Sequence, residues 1–244
     1  MLHNTHSNTI REETTTMDNR GFNSDYLFEI DTNPGGTEEY VRIGKGIADA
    51  THAPNDVTSQ KAYFTDNGLG STSVDGMQNT YSLSGDRILN DAAQNFIIDA
   101  CKTPGNSRYT SMKITDGNGE NTKLNVTLVS ASGFGGAANA PSAFTAEIHQ
   151  NGEAEITPAS EATVLEATAS LTGGKVTISA NPAIDHVIRY TVTGAVAETP
   201  NQMSSLLGGI IYNGPFNSTA GKYVNIYECK YKTKIVAFLS VLLG

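Results

Sequence analysis

Apolar residues recur at every second position along most of this chain, and a side-chain period of two is buried by strands, not helices. Tyr26, Phe28 and Ile30 alternate ahead of the turn sequence Asn33-Pro34-Gly35-Gly36, and Val41 and Ile43 follow it, which predicts a first hairpin. Leu124, Val126 and Leu128 alternate with Asn125, Thr127 and Val129 after a second turn sequence, Asp116-Gly117-Asn118-Gly119. Phe144, Ala146 and Ile148 then alternate with Thr145, Glu147 and His149, and a turn at Asn151-Gly152 is expected to lead into Ala154-Glu155-Ile156. Short strands punctuated this often by turn chemistry predict a mainly β protein built as a sandwich or barrel.

One segment departs from that period. Over residues 86–102, Ile88, Leu89, Ala92, Ala93, Phe96, Ile97, Ala100 and Cys101 form a helical stripe about four turns long. Ser84 or Asp86 is expected to cap its start, and Thr103-Pro104-Gly105 to stop it. A single amphipathic helix among strands must lay its stripe on a sheet, giving a β fold with one packed α-helix.

Between the first strands and the helix, residues 61–84 are rich in Gly, Ser, Thr, Asn and Asp and poor in apolar side chains. A connection of this length is too long for an ordinary loop. The alternation in Thr80-Tyr81-Ser82-Leu83 suggests the returning limb of a projecting hairpin, an arm of the kind that docks on a neighbouring subunit.

Strand patterns resume after residue 164. Val176, Ile178 and Ala180 alternate, and Val187-Ile188-Arg189-Tyr190-Thr191-Val192-Thr193 reads as a central strand. Tyr223-Val224-Asn225-Ile226-Tyr227 and Lys234-Ile235-Val236-Ala237-Phe238 read as two more. About eighty residues of strands without a helix fit a small immunoglobulin-like sandwich.

Charge divides the chain in the same place. Residues 1–16 hold one basic and two acidic groups, residues 17–160 nine and eighteen, and residues 161–244 six and five, so the middle segment carries the acidic excess. The step falls beside a Pro, Ala, Ser, Glu and Thr stretch, residues 157–168, of linker character. Three parts are therefore expected: a disordered arm or upstream extension over 1–16, with Met17 an alternative start, then units over 17–160 and 161–244. The acidic balance excludes a protein that wraps nucleic acid tightly, which must neutralise phosphates with Lys and Arg. Two cysteines, Cys101 and Cys229, cannot make a disulfide framework, and the longest apolar run, residues 235–243, is about half of what a membrane helix needs. Residues 1–16 are too polar for a secretory signal.

Catalytic constellations are not found. Of the five histidines, His3, His6, His52, His149 and His186, the first two lie in the terminal arm and His149 falls on a polar phase of its strand. Asp185 and His186, as sequence neighbours, are expected on opposite faces of a strand. Asp116-Gly-Asn118-Gly-Glu120 begins like a calcium loop but lacks the distal bidentate Glu, and a hairpin turn accounts for the same residues. Gly133-Phe-Gly135-Gly136 imitates a dinucleotide fingerprint, yet Pro141 forbids the helix that would bind the pyrophosphate. Asn125-Val-Thr127 and Asn217-Ser-Thr219 match a glycosylation sequon, a match without weight where no signal peptide precedes it. No enzyme, cofactor or metal is expected, and a structural or binding role is.

The order of an N-terminal hairpin, a long Gly/Ser/Asp arm, one amphipathic helix and paired strands to about residue 156 resembles the major tail (tail tube) proteins of long-tailed, siphovirus-type bacteriophages. Val41-Arg42-Ile43-Gly44-Lys45-Gly46-Ile47 and Tyr81-Ser82-Leu83-Ser84-Gly85-Asp86 carry the same flavour. The resemblance covers roughly residues 17–160. The later strands, with Lys175-Val-Thr-Ile-Ser-Ala180 and Ile211-Tyr-Asn-Gly-Pro-Phe216, look like an immunoglobulin-like module of the sort appended to bacterial glycosidases and phage structural proteins. Thr193-Gly-Ala-Val-Ala-Glu-Thr-Pro200 and an insertion at residues 202–209 depart from that module's usual turn.

The resemblance implies a tail-tube-type β-sandwich or barrel that closes into hexameric rings stacked as a tube, with an acidic lumen through which viral DNA passes without sticking. It implies partners in further copies of the chain and in tape measure, tail terminator and distal tail proteins, no membrane, and a place in the virion tail assembled in the host bacterial cytoplasm. On that reading Lys61, Tyr63, Phe64, Asp66, Asp75, Met77 and Tyr81 belong to an inter-subunit arm, and Asp116 and Glu120 to the channel or a contact surface. A two-domain surface adhesin or carbohydrate-binding protein, a capsid decoration protein and a phage-derived bacteriocin tube remain the alternatives.

Overall fold

In the computed structural model, which describes residues 23–206 and 208–244, the protein is mainly β, with a single α-helix among the described residues. The expected extension over residues 1–16 lies outside them. The first hairpin forms as expected, from β1 (Leu27–Asp31) and β2 (Tyr40–Ile43). Asp31, although buried, is satisfied: its carboxylate accepts the Asn33 and Glu39 amides at 3.0 and 2.8 Å and closes the connecting loop. There follow β3 (Ile47–Ala53), β4 (Asp56–Ala62), β5 (Gly70–Met77), β6 (Thr80–Asp86), the helix α1 (Ala92–Cys101), β7 (Tyr109–Thr115), β8 (Asn121–Ser132) and β9 (Ala143–Thr157). Seven of these strands make one antiparallel sheet in the order β2-β1-β7-β8-β9-β6-β3.

That order carries a consequence for shape. β2 and β3 are consecutive in the chain, joined only by Gly44-Lys45-Gly46, yet they are opposite edges of the sheet. The sheet must curl until its edges face each other. Gly85 marks the tight point, since a side chain there would collide with the Gly46 carbonyl. Inside the curl Ile30, Ile43, Met112, Leu124, Val126, Leu128, Phe144 and Ile148 form the core, with Ala93, Ile97 and Ala100 of α1 against them.

The helix is shorter than its stripe. Asp91, not Ser84 or Asp86, caps it, accepting the Gln94 amide at 2.9 Å. Residues 84–86 are instead held in β6, whose ladder to β9 continues through Asp86. The expected turn at Asn151-Gly152 is also corrected: β9 runs straight through it, the extra residues absorbed where the register to β8 shifts between Asn125↔Asn151 and Lys123↔Glu155.

Residues 157–168 are not a loose connection either. β9 extends to Thr157, Ala162 and Leu165 are buried, and β10 (Thr163–Val164) pairs in parallel with the last strand. The remaining strands are β11 (Ala167–Thr172), β12 (Lys175–Ala180), β13 (His186–Thr193), β14 (Ile210–Ile211), β15 (Phe216–Asn217), β16 (Tyr223–Lys230) and β17 (Lys234–Leu242). They form a five-stranded sheet, β10-β17-β16-β13-β14, facing a three-stranded one, β11-β12-β15. Val176 and Ile178 meet Ile188, Tyr190, Val224 and Ile226 between them, and the Tyr190 and Phe216 rings stack at 3.9 Å.

The outer face of the larger sheet is apolar too. Tyr227, Cys229, Ile235 and Phe238 lie there, covered by Ala162, Ala197 and Leu206 from the segments before β10 and after β13. Both cysteines are free. Burial pushes the Cys229 thiol up to about 12 from an ordinary 9.0. An acid whose folded pKa is raised stabilises the fold fully below the unfolded value and loses that contribution as pH rises through the folded one. Stability is therefore expected to fall between about pH 9 and 12. A chromogenic disulfide reagent at neutral pH should leave Cys229 unreacted until denaturant is added.

Among the described residues no helix is long and apolar enough to cross a membrane, and no group of three or more His, Cys, Asp or Glu is placed to hold a metal ion.

Candidate assembly surface

β4 and β5 leave the main sheet altogether. They pair only with each other, from Asp56↔Met77 to Ala62↔Gly70, as an outward extension of the β3–β6 hairpin. The arm thus begins at residue 56, earlier than expected, and its returning limb is β5. Thr80-Tyr81-Ser82-Leu83 belongs instead to β6, in the sheet between β9 and β3.

Local chemistry explains where the ribbon parts from the sheet. Pro54 has no amide to donate, and Asn55 adopts a left-handed conformation at φ 49° that Asn tolerates better than most residues. The Asn55 side chain donates to the Gln78 carbonyl at 3.1 Å and to Thr80 Oγ1 at 3.0 Å, tying both limbs together. On the other limb Asn79 donates to Gln150 Oε1 of β9 at 2.9 Å and lies 2.9 Å from His52 Nε2. Replacing Asn55 by Ala removes these ties and puts at positive φ a residue that tolerates the left-handed region less well than Asn. Amide exchange in β4 and β5 is expected to quicken about tenfold while the global transition moves little.

The arm's surface is unusual for its composition. Val57, Val74 and Met77 are exposed along it, and at the tip Tyr63 is 54%, Leu69 75% and Phe64 fully exposed. Lys61 and Asp66 are exposed beside them. Asp75 is held below the usual carboxylate range by hydrogen bonds from Ser59 and Ser73, so it stays ionised on one face of the ribbon. Val57, Leu69 and Val74 were legible only as apolar exceptions in a polar stretch.

Tyr81 stands apart from the other arm candidates. Its ring stacks on His52 at 4.9 Å, and burial pushes its phenol up. With Tyr26, Phe28 and Thr122 it lines a cleft of about 350 Å³ between the two ends of the curled sheet. A second opening, of about 260 Å³ and lined by Arg42, Ile43 and Ile47–Ala50, lies along the same seam. The edges β2 and β3 approach there without pairing.

Asp116 and Glu120 sit in the β7–β8 turn. The Asp116 carboxylate is turned inward to accept the Asn118 and Glu120 amides at 2.8 and 2.9 Å, while Glu120 is exposed. The turn's backbone faces the later strands, since Gly117 accepts the Ser205 amide at 2.7 Å and Asp116 accepts Lys234 Nζ at 2.8 Å. His186 is not paired with its neighbour Asp185, in line with expectation, and its Nδ1 lies 2.7 Å from Glu228 Oε1 on the adjacent strand.

No family model matches the chain, and no curated protein does. Among solved structures, it is similar to the tail of an empty GTA particle refined with C6 symmetry, at 14% identity and a TM-score of 0.45, over 57% of this chain and 100% of that one. It is also similar to the anti-feeding prophage cap, the AFP tube terminating cap, at 12% identity and a TM-score of 0.40, over 61% of this chain and 97% of that one.

Proposed function

We propose that this chain is a structural subunit of a phage-type tail tube, polymerising as stacked hexameric rings. The observation that carries the reading is the β4–β5 ribbon. A two-stranded ribbon with apolar side chains on both limbs and at its tip is marginal alone in water, and a neighbouring subunit that covers it supplies the missing burial. The seam supports the same reading, because two facing edge strands with unpaired backbone groups are satisfied when the next subunit pairs with them, and a closed ring leaves no edge.

On this reading residues 17–160 form the tube wall and residues 161–244 an outward immunoglobulin-like module. Arm contacts come from Lys61, Tyr63, Phe64, Asp66, Asp75 and Met77, with Val57, Leu69 and Val74 added. Tyr81 acts from the seam. The acidic excess of the wall lines a channel through which DNA is ejected without being held. Tape measure, terminator and distal tail proteins complete the tail in the virion.

Negative-stain electron microscopy across a concentration series, with light scattering for mass, tests the proposal. Rings or tubes with sixfold end views are expected. A monomer at all concentrations that also ignores tail-tip proteins would sink it in favour of a binding module.

A further inference from the structure

We infer that the hairpin end 231–234 is a latch that makes the wall and the carboxy-terminal sandwich one cooperative body, so that the second is not a detachable decoration. The turn between β16 and β17 is chemically wrong for a turn. Tyr231 and Lys232 both take left-handed conformations, at φ 51° and 71°, where Gly or Asn is the usual choice. A connection that had only to reverse the chain would not place a bulky aromatic there, and strain of this kind persists where surrounding contacts over-determine it.

Apart from Lys230, whose ammonium lies 4.8 Å from the centre of the Tyr231 ring, those contacts come from the other body. Tyr231 Oη donates to Glu29 Oε1 of β1 at 3.1 Å, and the Arg42 guanidinium of β2 lies 4.7 Å from the centre of its ring. Three residues on, Lys234 is 3% exposed, and its ammonium is received by the main-chain carbonyls of Asp25 and Asp116, both in the first body. Taking an ammonium out of water is costly unless its donors are matched, so separating the bodies would either flood this pocket or leave Lys234 short of acceptors.

The neighbouring segment repeats the pattern. Met203 is also left-handed, at φ 60°, and its segment packs on the β7–β8 turn so closely that any side chain at Gly119 would strike the Gln202 carbonyl. Three of the six non-glycine residues with positive φ among the described residues therefore lie at this one boundary. The inference does not depend on tube assembly.

The test uses the full chain and two variants, Tyr231→Gly and Lys234→Met. In a turn with no other duty, glycine relieves the strain and leaves stability equal or higher. For a latch, wild type should melt in one transition, while Tyr231→Gly splits it in two and speeds amide exchange at residues 117–119 about tenfold. Lys234→Met, which retains the volume and removes the donors, should do the same. A wild type that already melts in two steps, or a Tyr231→Gly protein that melts once at or above the wild-type temperature with unchanged exchange at 117–119, overturns the inference.

Discussion

A chain carrying Tyr63→Ser, Phe64→Ser and Leu69→Ser should fold as wild type does and fail to form tubes. None of the three side chains contributes to the core, so thermal unfolding of the subunit is expected to shift by no more than the usual range for surface changes, about 0.5 kcal/mol. Assembly is another matter. Burying one such side chain at a contact is worth roughly 1.5–3 kcal/mol. Losing two or three from each subunit contact should raise the concentration needed for polymerisation by a factor of at least about 10². The result is read by sedimentation and negative-stain microscopy at concentrations where wild type assembles. Tubes of normal length from the triple variant would remove the arm from the assembly contact.

The arm also shows where sequence reasoning reached its limit. Its existence was legible because a long polar segment between strands has no place in a core. Its limbs were not, because Thr80-Tyr81-Ser82-Leu83 alternates as well as any strand, and periodicity does not say which partner a strand takes. β6 lies between β9 and β3 through long-range pairing, and the true return strand, β5, is small or polar except for Val74 and Met77. Asn151-Gly152 failed for a related reason: a pair that usually makes a turn is equally suited to a bulge, with Gly152 at φ 71°, when a long strand on either side is already paired.

Partners that come from another strand or another body were invisible in the same way. Glu228 is far from His186 in sequence but lies on the adjacent strand, two residues from Lys230, the ladder partner of His186. Lys234 reads as the polar start of an apolar strand, and nothing near it in sequence announces the carbonyls of Asp25 and Asp116 that receive it. The apolar pattern placed the cores, because burial is set by period. The polar contacts between bodies follow the tertiary arrangement, which period does not encode.

Gln94→Ala should be the most damaging loss of a polar side chain in the wall, lowering stability by about 3 kcal/mol, or roughly 6–12 °C in melting temperature. Gln94 interrupts the helical stripe with an amide and is fully buried. Its Nε2 donates to the carbonyls of Lys45 and Asp86 at 2.9 and 3.1 Å. Its Oε1 accepts the Ile88 amide at 2.9 Å and Arg87 Nη1 at 3.1 Å. One side chain thus satisfies three backbone groups, and each left unpaired in the interior costs about 1–3 kcal/mol. Gln94→Met separates this from simple loss of volume: it refills the space without restoring a bond, so most of the deficit should remain. Recovery of wild-type stability by Met would show that packing, not hydrogen bonding, holds the site. The position of the carbonyls gives the change its reach. Lys45 lies in the turn that joins β2 to β3, so Gln94 pins the helix to the point where the sheet curls and its two edges are brought face to face. Loosening that point should widen the seam, and a subunit that assembles through those edges should lose tubes at temperatures where its own fold still holds.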